Sequence, residues 1–187
     1  MTEASDPNEM TVTVNSKEYT VNTITFSYFS SNTSSNHQIE QFDVALRCVY
    51  ESFHIAFEVY KSEFANYATL CQTLQRLGVN VLGDRPLSDI LSRIKFFQLN
   101  GEEELKMCTN LAEDWIFKLL YMHHSGQMAG RGRTNVVFNT ITYILSHSYW
   151  YNPYTRNVVR EIYKSMNPVE AVTSGGGENS YNLYIRI

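Results

Sequence analysis

The sequence predicts a predominantly helical α+β protein: a helical bundle with an N-terminal β-hairpin and a C-terminal strand. Three observations carry this. Residues 10–29 alternate β-branched or aromatic residues with polar ones, the period of a half-buried strand. Long stretches without glycine or proline then place apolar residues three and four apart, as in Ile39, Phe42, Leu46, Val49 and Phe53, the period of a helix. The chain closes on Tyr181–Ile187, reading YNLYIRI, which alternates again after a triple glycine. At 187 residues one hydrophobic core suffices. We divide the chain into a disordered leader (1–9), a single helical-bundle domain with its hairpin (10–172), and a flexible hinge with the C-terminal strand (173–187).

The elements follow in order. Val12, Val14, Tyr19 and Val21 flank a turn at Asn15-Ser16-Lys17, and Ile24, Phe26 and Tyr28 extend the second strand through Ser27. A Ser/Asn loop covers Ser30–Asn36, with Ser34, Ser35 or Asn36 capping the next helix. Asn36–Leu77 holds neither Gly nor Pro and predicts one helix, about 60 Å if unbroken, or two, either nearly collinear or kinked and folded back on each other. Gly78 closes it. A loop over Val79–Leu87 leads through Pro86 into a short helix ending near Phe97. Asn100-Gly101 breaks the chain. Glu102–His124 is helical, with its acidic residues in the first turn and Trp115 in its buried seam. Val136–His147 is helical or mixed. Asn152-Pro153 starts a helix running to Met166, where Asn167-Pro168 stops it. The tail strand is expected to join the hairpin or a neighbouring subunit.

Composition bounds the function. Thirteen Tyr and ten Phe make an aromatic-rich interior or interface. The net charge of −4 is unevenly spread: residues 131–187 carry six Lys/Arg against three Glu, while residues 1–130 are strongly acidic. One anion-facing surface on an acidic body follows. Cys48, Cys71 and Cys108 form no CxxC pair and read as reduced core thiols. With no apolar leader and no long apolar run, the expected location is cytoplasmic or virion, not secreted, with no membrane partner.

The segment Gly126–Arg133, GQMAGRGR, sets three glycines and two arginines between two helices. Glycine allows close backbone approach to a ligand, and arginine offers a planar fork for phosphate. It does not match the nucleotide-binding loop, which needs a second glycine and a lysine where Arg131 and Gly132 stand. We therefore take Gly130, Arg131, Gly132 and Arg133 as a nucleic-acid backbone contact. Arg156, Arg160 and Lys164 recur every four residues along one helix, with Val158, Val159, Ile162, Tyr163 and Met166 on its core side. Trp150 and Tyr151, beside Tyr149 and Tyr154, supply rings on which unpaired bases could stack.

No motif for catalysis, cofactor or metal stands out. His123-His124 are adjacent, so their side chains diverge by about 100° on a helix and do not suit one metal. The expectation is a non-enzymatic, self-assembling structural protein, a coat or nucleocapsid-type subunit that binds copies of itself and single-stranded RNA. The alternatives are a small helical adaptor or pathogen accessory protein holding a partner helix, and an enzyme whose site no local pattern exposes.

Overall fold

A computed structural model describes residues 6–32, 34–94, 102–128, 135–147 and 151–166. Among these residues the architecture is α+β and predominantly helical, with eight helices and one two-stranded antiparallel sheet. Strands β1 (Glu9–Val14) and β2 (Lys17–Asn22) pair with Met10 opposite Val21 and Val14 opposite Lys17. Asn15 and Ser16 join them at φ 51° and 66°, the left-handed pair that matches strand twist in a two-residue hairpin. Asn15 also fixes the hairpin in place. Its side-chain amide donates to Ile39 O (2.7 Å) and its oxygen accepts from Ile39 N (3.1 Å), while His37 forms an isolated parallel bridge with Val14. The alternation turns Val12, Val14 and Val21 into the core.

The second strand ends at Asn22, not at Ser27 as the alternation predicts. The Asn22 carboxamide accepts from Ile24 N (3.0 Å) and Thr25 N (3.2 Å), diverting the backbone donors that a longer ladder would need. Helix α1 (Ser27–Ser31) follows and buries Phe29. No Ser or Asn caps the next helix. Helix α2 (Phe42–Tyr50) begins after Gln41, whose φ of 52° turns the chain.

The predicted long helix is three short ones: α2, α3 (Ile55–Tyr60) and α4 (Phe64–Arg76). Tertiary contacts make both breaks. At the first, the Asp114 carboxylate accepts from Ser52 Oγ (3.0 Å) and Phe53 N (2.9 Å). At the second, Lys61 adopts φ 50° and its carbonyl accepts from the buried Tyr67 hydroxyl (2.7 Å). Folding back lets Phe42, Ala45, Phe57, Tyr67, Leu70 and Leu74 share one core. Gly78 ends α4 at φ +70°, and a Cβ there would lie 2.0 Å from Ser27 Oγ. Both conformation and space demand glycine.

Helix α5 (Leu87–Ile94) buries Ile90, Leu91 and Ile94. Helix α6 (Glu102–His124) is the central element and touches α4, α5 and α8. Its buried residues, among them Ala112, Ile116, Phe117, Leu119 and Leu120, run almost all round the helix, as a central helix requires. Trp115 packs against the core from the predicted seam but is only half-buried, short of the full burial predicted. Helix α7 (Asn135–Ser146) buries Val137, Thr140, Ile141 and Ile144 at helical spacing and packs on α8 (Pro153–Met166). Cys48 and Cys71 are buried free thiols, and burial pushes the Cys48 thiol up to about 12. No helix among the described residues is long and apolar enough to cross a membrane. The predicted tail strand and glycine hinge lie outside the described residues.

Candidate nucleic-acid interface

The expected contact surface centres on α8, whose position is set at its N-terminus. Pro153 occupies the first turn, where its missing N–H costs nothing. Asn152 caps the helix by accepting from Thr155 N (2.8 Å). The Asn152 amide and the Thr155 hydroxyl then both donate to the Glu113 carboxylate of α6. Glu113 is 3% exposed. Burial pushes its carboxyl up to about 7, against the opposing pull of those two donors, and the charge of Glu58 adds to the rise. This buried latch seats α8 on α6. Val158, Val159 and Ile162 pack beneath the helix as the spacing predicts.

With that face sealed, Arg156, Arg160 and Lys164 share the other side of α8. Arg160 is half-buried and its Nη1 donates to Asn157 Oδ1 (2.6 Å). Arg156 is half-buried, and its buried Nε–H has no hydrogen-bond partner. Lys164 is exposed and pairs with Glu161 (2.8 Å). Arg156 and Arg160 have no ion-pair partner among the described residues, unlike Arg47, Arg85 and Arg93. Two unneutralised guanidinium groups on one helix face are a standing attraction for phosphate.

The glycine- and arginine-rich residues Gly130, Arg131, Gly132 and Arg133, together with Trp150, lie outside the described residues. Their flanks are informative. On one side, the last turn of α6 carries His123, whose Nε2 pairs with Ser165 Oγ of α8 (3.1 Å). Gly126 then turns at φ +74°, and Met128 N donates back to Met122 O (3.3 Å). On the other side, the Phe138 ring of α7 meets the Tyr163 ring of α8, with centroids 5.9 Å apart. The described residues on both sides of 129–134 therefore pack on the C-terminal half of α8, the half that carries Arg160 and Lys164.

One predicted contact residue is misplaced. Tyr151 is 1% exposed, and its hydroxyl donates to Ile94 O (2.8 Å). It ties the segment before α8 to the last described residue of α5, and it offers no ring to a base. Tyr154, by contrast, is 44% exposed at the start of α8.

The histidine pair contributes no positive charge near pH 7. Burial, then the neighbouring His123, lowers the His124 imidazole to about 4, and burial lowers His123 as well. Their rings meet edge to face at 5.1 Å. Among the described residues no three His, Cys, Asp or Glu side chains converge on a metal-sized site.

Sequence reasoning missed Glu113 and the surroundings of Trp115. For Glu113 a usable signal exists: an Asn-Pro helix start with a threonine three residues after the Asn, and one acid within the apolar centre of α6. For Trp115 the cations come from three separate places in the chain, and no local pattern joins them. No family model, no curated protein and no solved structure matches this chain.

Proposed function

We propose that this chain is a non-enzymatic subunit that assembles with copies of itself and binds single-stranded nucleic acid, RNA in the first instance, in the manner of a coat or nucleocapsid protein. The observation that supports the reading best is the convergence on α8. Arg156 and Arg160 lack an acidic partner among the described residues, and the residues flanking Gly130–Arg133 pack against the same helix. A linear run of cations at helical spacing suits a phosphate backbone better than a single small anion. An acidic body is no obstacle, because an assembly repeats a few cationic contacts along one polymer and gains avidity from each. Within this reading Arg156, Arg160 and Lys164 contact the backbone with Arg131 and Arg133, and Tyr154 offers an exposed ring. Tyr151 and the Glu113 latch set the geometry from below.

Purified protein tests this directly. The reading predicts a raised 260/280 nm absorbance ratio that falls after nuclease treatment in high salt, and a light-scattering mass well above that of one chain. A nucleic-acid-free, stable monomer that binds no added RNA would replace it with the adaptor reading.

A further inference from the structure

A second cationic cluster is built on α5 and α6, around Trp115. The guanidinium carbons of Arg85 and Arg93 sit 5.4 and 5.3 Å from the indole centroid, and the Lys118 ammonium sits 4.3 Å from it. Trp115 and Lys118 belong to α6, Arg93 to α5, and Arg85 to the loop that enters α5. Asp89 lies between the two arginines. Its Oδ2 accepts from Arg85 Nη1 (2.9 Å) and its Oδ1 from Arg93 Nε (3.5 Å). These interactions, Arg85 first, hold the Asp89 carboxyl below its ordinary range. Lys118 is ion-paired with Asp114 at 3.3 Å. Three cations thus stand against two carboxylates, and the arginine side chains are 43% and 51% exposed.

What remains unused is decisive. A guanidinium has five N–H donors. Asp89 takes one from Arg85 and one from Arg93, so both Nη groups of Arg93 and the Nε and Nη2 of Arg85 have no protein partner among the described residues. Contact with the indole and a shared carboxylate hold both guanidinium groups near one place, which lowers the ordering cost of binding. Such free fork edges fit the oxygens of a phosphate diester.

We infer that Arg85 and Arg93, braced by Trp115 and Asp89, form a second phosphate-binding site for the backbone of single-stranded nucleic acid. The inference deepens the proposed function and rests on it for the identity of the ligand. Lys118, turned onto the indole and held by Asp114, adds charge without contacting the strand.

The test uses the full chain and a fluorescein-labelled oligouridylate, with binding read by anisotropy across a salt series. Arg85→Ala/Arg93→Ala should lower affinity and flatten the plot of log affinity against log salt by about 1.4 units, about 0.7 for each lost single-strand phosphate contact. Arg85→Lys/Arg93→Lys should keep the slope but lose affinity, since a point charge replaces a fork. Circular dichroism checks that both variants fold. Trp150→Phe, whose affinity is measured first because Trp150 is itself an expected contact, leaves Trp115 as the one tryptophan, and its emission should change on binding.

Binding that leaves Trp115 emission unchanged and keeps its slope in the alanine variant overturns this site while the proposed function stands. A Trp115 response that is lost with Arg85→Ala/Arg93→Ala supports this site, and if Arg156→Ala/Arg160→Ala also binds with the native affinity and slope, α8 is removed from the interface. No binding by the native chain overturns both.

Discussion

Replacing Glu113 with Gln should change how stability depends on pH, in a way the native chain conceals. Glu113 titrates near 7 when folded, against 4.5 as its ordinary value. The folded state therefore holds this proton more tightly than the unfolded state does. Its contribution to stability is intact below about 4.5, falls as pH rises, and is lost above about 7. At about 1.4 kcal/mol per unit, the burial of the ionised carboxylate costs about 3 kcal/mol at pH 8.

His124 acts in the opposite direction. Its folded value of about 4 lies below the ordinary 6.5, so its contribution is intact above 6.5 and is lost as pH falls towards 4. That effect is also about 3 kcal/mol. The two slopes overlap between 4.5 and 6.5 and cancel there, so on these two groups the native profile should be nearly flat in that interval. The difference between native protein and Glu113→Gln should not be flat. Urea unfolding at steps from pH 4.5 to 8 should show the variant gaining about 3 kcal/mol relative to the native chain over that range. His124→Asn should diverge from the native chain in the opposite sense, gaining relative stability as pH falls below 6.5. A Glu113→Gln difference that is constant with pH would mean that Glu113 ionises in the folded protein as it does in the unfolded chain, and the latch account would fail.

Two further substitutions probe the frame. Gly78→Ala combines a left-handed φ with a Cβ placed 2.0 Å from Ser27 Oγ, so it should cost at least about 1–2 kcal/mol in urea unfolding. Adding Ser27→Ala should recover part of that loss, and an unchanged midpoint in the single variant would contradict the close approach of α1 and α4. Tyr151→Phe should cost about 1–2 kcal/mol by removing the buried hydrogen bond to Ile94 O, while RNA affinity of the folded protein stays the same. A selective loss of RNA affinity with stability intact would return Tyr151 to the interface.

Much of the frame was legible because it is encoded locally. The presence of α6 and α8 follows from their apolar spacing and the start of α8 from Asn152-Pro153, and the hairpin turn follows from Asn15-Ser16 between alternating valines. What was not legible depends on partners distant in sequence. Nothing within residues 36–77 announces that Asp114 will accept from Ser52 and Phe53, so the sequence leaves open one helix or two and does not place this break. Asn22 ends its strand with its own side chain, a local cue that the alternation of Ile24, Phe26 and Tyr28 outweighs on paper. The same division holds for the candidate site. The α8 stripe is periodic and visible, whereas Tyr151 is withdrawn from it by a hydrogen bond to Ile94. The cluster around Trp115 exists only once α5 lies on α6.

The central claim is that α8 carries a nucleic-acid backbone, and the salt dependence of binding tests it most directly. Native protein and Arg156→Ala/Arg160→Ala, each shown folded by circular dichroism, would be titrated with single-stranded RNA between about 50 and 200 mM salt. The account predicts weaker binding by the variant at every salt concentration, a slope shallower by about 1.4 units, and an equal loss for RNAs of different sequence. Superimposable curves for the two proteins, or no binding by either, would contradict it.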